Sequence, residues 1–228
     1  LCKQKKIKII EDAAEGIGAT YNGKKAGSFG EISLFSFNAT KLIMSGQGGA
    51  LCTNNKKIYE KSKLISHHGM NKKNLNKYFW SSELGYNYNW TNIQASLALA
   101  QLRRIDDLLA YKKWLYEAYS MKLSDLEGVH LNQTRPNVNN SYWITTATID
   151  KKFKLNKEDL ISKFGDFQID IRPMFYPLSS MPTFKKNIKK KHSLLNTHAY
   201  DISKRTICLP NGNNLDEKDV NRIANSFK

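Results

Sequence analysis

Short apolar runs broken by small residues and polar punctuation dominate the first hundred positions. Lys6-Ile7-Lys8-Ile9-Ile10 is a β-branched run that predicts a strand, closed by Glu11-Asp12 and the small-residue turn Ala13-Ala14-Glu15-Gly16. A strand feeding such a turn is the α/β arrangement, in which ligands sit beyond the carboxyl ends of strands. After a loop at Asn22–Gly30, Glu31–Phe37 reads as a buried strand, and Ser45-Gly46-Gln47-Gly48-Gly49 leads into a further strand at Ala50–Thr53. Lys56–Ser66 reads as a polar helix. Thr91 is an N-cap for a long helix reaching to about residue 126, with Ala98, Leu102, Ile105, Leu109 and Tyr116 as its core-facing stripe.

The pattern changes from about Gly128. Strand-like Trp143–Ile149, a helix from Lys157, strand Gln168–Met174 and strand Thr206–Leu209 alternate over short distances, which predicts a smaller α/β domain. The expected division is 1–112 and 113–228, with the long helix as connector. No internal repeat interrupts it.

The composition is that of a globular chain: 228 residues, 40% hydrophobic, 11% aromatic and 25% charged. No apolar run approaches the roughly 18 residues of a membrane span, and Leu1–Ile10 is too lysine-rich for the core of a signal peptide. Cys2, Cys52 and Cys208 form neither a CxxC pair nor an even set, so neither a disulfide framework nor a structural zinc site is expected. A cytoplasmic, reducing location fits these features. The net charge of +16 invites a nucleic-acid reading, which predicts affinity falling steeply with salt. The distribution argues against it: residues 1–114 hold 18 basic and 8 acidic side chains, residues 115–228 hold 18 and 12, and no nucleic-acid-binding motif accompanies them. The one dense run, at 185–191, reads as a solvated face.

The chemistry-bearing unit is Asp12 at a strand end, followed 29 residues later by Lys41 in a loop flanked by Ser36 and a glycine cluster. A lysine after a buried apolar strand is placed for desolvation, and a desolvated amine is the nucleophile that Schiff-base chemistry needs. The competing reading is a lysine whose stem packs while its ammonium reaches water. Gly46-Gln47-Gly48-Gly49 is either a phosphate cradle or a plain turn, and His67-His68 lacks partners at metal-ligand spacing, so no metal is expected.

Several blocks in order carry a resemblance. Ile9-Ile10-Glu11-Asp12-Ala13-Ala14-Glu15, Gly27-Ser28-Phe29-Gly30, Phe35-Ser36-Phe37-Asn38-Ala39-Thr40-Lys41, Gly46-Gln47-Gly48-Gly49-Ala50, Gly85-Tyr86-Asn87-Tyr88 with Thr91–Ala95, and Ile171–Leu178 stand across almost the whole chain. Together they resemble the DegT-type family of pyridoxal-phosphate-dependent sugar aminotransferases, most closely its perosamine-synthetase branch. The resemblance implies a fold-type I, aspartate-aminotransferase-like α/β fold. In it, 1–112 is the C-terminal part of the cofactor-binding large domain, with a mixed sheet, and 113–228 is the small C-terminal domain. It further implies transamination of a nucleotide-linked 4-keto-6-deoxyhexose, glutamate as amino donor, pyridoxal 5'-phosphate as cofactor and a homodimer with shared active sites.

The same resemblance assigns roles. Lys41 binds the cofactor aldehyde and then serves as the base, and Asp12 pairs with the pyridine nitrogen. Ser36 donates to the cofactor phosphate, and Asn87 reaches the phosphate in the neighbouring subunit. Glu15 stands near the ring hydroxyl, where relatives often carry Gln or His. Arg172 and Tyr176 are the substrate-side residues. Family members also begin with a segment that has no counterpart here, so the chain is expected to start midway through the large domain. A second reading keeps the fold without the chemistry: a truncated non-catalytic remnant or basic binding module.

Overall fold

The computed structural model describes residues 1–70, 77, 79–187 and 195–228, apart from the side chains of 185–187. The lysine-rich run at 185–191 therefore has its side chains outside the described residues. Contacts divide the chain into two units, Leu1–Leu109 with Thr134–Trp143, and Ala110–Gln133 with Ile144–Lys228.

The first unit is built on a three-stranded mixed sheet. Strand β1 (Ile10–Asp12) runs parallel to the central strand and pairs Ile10 with Ile32 and Asp12 with Leu34. A two-residue hairpin follows it: β2 (Thr20–Tyr21) and β3 (Lys24–Lys25) are joined by Asn22-Gly23, with φ of 49° and 75°. Two consecutive left-handed residues are what a tight hairpin needs to match strand twist, and Asn-Gly supplies them at least cost. The central strand β4 (Ile32–Ser36) then runs antiparallel to β5 (Gly49–Cys52), pairing Ser36 with Gly49. Helix α1 (Lys56–Ser66) starts at Asn55, whose side chain accepts from the amides of Lys57 and Ile58. Helix α2 (Asn92–Leu102) starts at Thr91 with a capping box closed by Gln94. Phe37, Leu42, Ile43 and Leu108 form the buried core, with the Phe37 and Trp90 rings 4.9 Å apart.

Helix α3 (Ile105–Leu123) begins after a break, so the single long helix expected from the apolar spacing is two helices. Residues Arg103 and Arg104 separate them, and Leu102, expected in the stripe, is 47% exposed. The buried line on α3 is instead Leu108, Leu115, Tyr119 and Leu123. Leucines one position off either stripe made the two registers hard to tell apart. The first strand also shifts. Residues Leu1–Ile7 form turns, with the Lys5 amide on the Leu1 carbonyl and the Ile7 amide on the Cys2 carbonyl, and β1 takes in the two acids expected to follow it.

The second unit carries a four-stranded antiparallel sheet in the order β6-β8-β10-β9. These strands are β6 (Val129–Leu131), β8 (Thr146–Ile149), β9 (Arg172–Pro173) and β10 (Thr206–Cys208). The segment between β6 and β8 contributes β7 (Val138–Asn139) to the first unit, where it pairs with β2. Helix α4 (Lys157–Asp166) is capped by Asn156 with Asp159, and α6 (Glu217–Asn225) by Asp216 with Asp219. Between them runs α5 (Thr197–Arg205). Leu115, Tyr119, Leu160, Phe164, Ile207 and Val220 are the centre of one apolar cluster, and all three residues of β10 are buried. Two strands are shorter than their apolar runs: Gln168–Met174 pairs only at Arg172–Pro173, and Trp143–Ile149 only from Thr146.

Candidate functional site

Two neighbouring parallel strands end together. Asp12 closes β1 and Ser36 closes β4. The register sets Asp12 beside Leu34, and side chains two apart on a strand share a face, so Asp12, Leu34 and Ser36 lie on one side of the sheet. Glu11, Ser33 and Phe35 take the other. Asp12 Oδ1 accepts from the Ala14 amide at 3.1 Å, and Ser36 Oγ accepts from the Asn38 amide at 3.3 Å.

Lys41 sits in the connection between β4 and β5. That connection is a zipped loop: the Phe37 amide donates to the Gly48 carbonyl, Ala39 to Gly46, and Ser45 back to Phe37. Asn38 Oδ1 accepts from both the amide and the hydroxyl of Thr40 at 3.2 Å, and the Lys41 amide reaches the Asn38 carbonyl. Leu42 and Ile43, 3% and 1% exposed, plug the loop into the core directly after the lysine. Gly46-Gln47-Gly48-Gly49 thus closes a hairpin, and its glycines serve the turn: φ is 82° at Gly46 and 106° at Gly48.

The Lys41 side chain is 14% exposed. Its Nζ donates to Glu15 Oε1 at 3.1 Å and stands 4.0 Å from the centre of the Trp143 ring. Trp143 is in turn tied to the lysine loop, its Nε1 donating to the Thr40 carbonyl at 2.7 Å. Ser141 Oγ donates to the Glu15 carbonyl at 3.3 Å. The amine is thus held between a carboxylate and an indole face.

The remaining sequence-predicted residues stand elsewhere. Asn87 lies on a separate loop and is bridged to His67, and its chain neighbours Tyr86 and Tyr88 stack with ring centres 5.0 Å apart. Arg172 and Tyr176 belong to the second unit. Arg172 is paired with Asp170 at 2.8 Å; the Tyr176 hydroxyl donates to Glu158 at 3.3 Å, and the ammonium of the buried Lys157 lies 3.3 Å from its ring centre.

Two residues near the site escaped the sequence reading. Glu11 accepts from the backbone amides of Gly27, Phe29 and Gly30, the Phe29 contact at 2.9 Å and the Gly30 contact at 3.3 Å. Burial alone pushes its carboxyl up, but those three amides, with Lys24 nearby, outweigh it and hold the group below the usual range. The signal was present, because an acid inside a strand needs donors and Gly-Ser-Phe-Gly is a loop rich in free amides. Trp143 had no such signal, since its partners lie a hundred positions earlier.

The donor set suits pyridoxal 5'-phosphate. A carboxylate can face a pyridine N–H, a hydroxyl a phosphate, and a primary amine an aldehyde; Asp12, Ser36 and Lys41 supply these from one sheet end and the loop after it. Among the described residues there is no group of three or more His, Cys, Asp or Glu that could hold a metal ion, and no helix is long and apolar enough to cross a membrane.

The chain matches the DegT/DnrJ/EryC1/StrS aminotransferase family over residues 1–228. It belongs to that family. The GDP-perosamine synthase of Escherichia coli O157:H7 is 34% identical over 100% of this chain and 59% of its own length, and that of Vibrio cholerae 32% over 100% and 60%. Among solved structures, Helicobacter pylori PseC, an aminotransferase involved in the biosynthesis of pseudoaminic acid, is similar with a TM-score of 0.88 at 27% identity, covering 99% of this chain and 60% of PseC. The fold is accordingly a partial fold-type I aminotransferase fold. The chain spans about three-fifths of the length of these relatives.

Proposed function

We propose that this family member supplies the lysine-bearing part of a pyridoxal-phosphate-dependent sugar aminotransferase, acting on a nucleotide-linked 4-keto-6-deoxyhexose with glutamate as amino donor. The observation that carries the reading is the Lys41 amine, held by Glu15 in the loop after β4, with Asp12 and Ser36 at the adjoining strand ends. The similarity to GDP-perosamine synthases supports a sugar substrate.

In this reading Lys41 Nζ anchors the cofactor and, once freed by an incoming amine, holds the proton that leaves the substrate carbon. Asp12 keeps a proton on the ring nitrogen. When bound, the cofactor supplies an electron sink that stabilises negative charge on that carbon. Ser36 donates to the phosphate, Glu15 faces the ring hydroxyl, and Asn87 reaches the phosphate of a second copy in a homodimer. Arg172 and Tyr176 take the substrate side. Exposed apolar side chains around Asn87, namely Leu84 at 80%, Tyr88 at 70% and Ile93 at 76%, support a copy-to-copy contact there. The net charge of +16 favours encounter with a dianionic nucleotide sugar.

The test is covalent. The protein is incubated with pyridoxal 5'-phosphate and reduced with borohydride, and peptide mass spectrometry should place the pyridoxyl group on Lys41. Label on other lysines at equal level, or none, refutes the assignment. A screen of 4-keto and 3-keto nucleotide sugars with glutamate then decides the substrate, with Lys41→Ala expected to be inactive.

A further inference from the structure

We propose that Trp143 is the positioning residue of Lys41, fixing the amine for the cofactor chemistry above; the role toward the cofactor rests on that reading. Three features of the segment that returns to the first unit at 134–143 point to it. First, the indole face lies 4.0 Å from Nζ, the range in which a ring quadrupole attracts a cation. Glu15 holds the same nitrogen, so two attractions of different kind confine one flexible side chain.

Second, the clamp is referenced to the lysine itself. Trp143 Nε1 bonds to the carbonyl of Thr40, the residue before Lys41, and Ser141 bonds to the carbonyl of Glu15. The segment Ser141–Trp143 therefore ties together the two loops, one after β1 and one after β4, that carry the two partners of the ion pair. Third, this arrangement is held against backbone strain. Tyr142, between the two anchoring residues, has φ of +48°, a left-handed conformation unfavourable for an aromatic residue, and the Asn140 side chain accepts its amide at 3.0 Å. Such strain persists where the surroundings over-determine it, which is the usual mark of a functional constraint. Pairing of β7 with β2 delivers the segment to this place.

A lysine released from such a clamp regains rotamer freedom that must be lost again when its amine is fixed by a ligand. Trp143→Leu should weaken the apparent affinity for pyridoxal 5'-phosphate, read as borohydride-fixed label on Lys41, by roughly tenfold. Trp143→Phe keeps a ring face without the Thr40 bond and should lose only about two- to threefold. Wild-type affinity in the Leu protein, or a Phe protein as weak as the Leu protein, overturns the proposal.

A second readout needs no cofactor. Reductive methylation with ¹³C-formaldehyde keeps the charge on each lysine, and the Lys41 methyl signal should be displaced upfield by the indole ring in wild type, less in Trp143→Phe, and not in Trp143→Leu. A wild-type signal that coincides with those of exposed lysines overturns the proposal whether or not the Leu protein folds. Absence of any cofactor label in wild type would sink the functional reading, while the methyl signals still decide the role of Trp143.

Discussion

Replacing Glu11 by Gln isolates the contribution of one carboxylate to the frame beneath the site. One of its oxygens accepts from the Gly27 amide and the other from Phe29 and Gly30, so the side chain pins the loop 27–30 from both sides. Glutamine keeps one acceptor oxygen, confronts the other amides with its own N–H₂, and loses the charge. A hydrogen bond to a charged group contributes about 1.5–3 kcal/mol, and such bonds sharing one carboxylate are not additive. Part of the carboxylate also meets solvent, so the expected loss is about 2–3 kcal/mol rather than the simple sum. Urea unfolding at pH 7 measures it, and hydrogen exchange of the Gly27, Phe29 and Gly30 amides reports the local effect. The sign with pH follows from the lowered carboxyl: its stabilisation is fully present above the unfolded value of about 4.3 and is lost as pH falls through the lower folded value. The difference between wild type and Glu11→Gln should therefore narrow in strong acid. A loss below about 0.5 kcal/mol, or a difference that stays constant down to the acid transition, refutes the argument.

Gly27→Ala should also loosen this loop. At φ +86° a Cβ would stand 2.3 Å from Phe35 Cζ, so a drop of at least about 1–2 kcal/mol is expected in the same urea titration. Phe164 is fully buried, with its ring 4.9 Å from that of Phe227, and Phe164→Ala should cost the second unit about 3–5 kcal/mol, measured by thermal unfolding. Lys112, buried with its ammonium donating to the Asn211 carbonyl, has its pKa pushed down by burial to about 8. The unfolded chain then binds more protons between about pH 8 and 10.5, so stability should rise across that window by about 2–3 kcal/mol, and Lys112→Met should lack this component.

What could be read from the sequence was local. Thr91 announced α2 at its first residue, because a cap and its amides lie within three positions, and the Asn55 cap of α1 offered the same kind of signal without being used. The strands Ile32–Ser36 and Gly49–Cys52 fell within one or two residues of their apolar runs, and Asn22-Gly23 carried a hairpin signal that went unread. The break at Arg103–Arg104 escaped because the apolar spacing continues across it, and the shift of β1 escaped because Glu11 is tolerated in a strand only through a loop sixteen positions away. For the candidate site, motif order singled out Lys41, Asp12, Ser36 and Glu15 as candidates, and the structure brings the Lys41 amine to the Glu15 carboxylate. The return of residues 134–143 to the first unit has no local signature. Its cause is pairing with β2 and bonds to Glu15 and Thr40, all distant in the chain.

That distance has a consequence for biogenesis. The loop bearing Lys41 closes between adjacent strands, a local event completed soon after residue 52 is made, whereas the bond from Trp143 to Thr40 spans 103 positions. At ribosomal rates of about 5–20 residues per second, roughly 5–20 seconds of synthesis separate the emergence of the lysine from that of its indole partner. Lys41 is therefore made after its carboxylate partner Glu15 but well before the indole that also faces its amine, so the full set of contacts around that amine closes only late in synthesis.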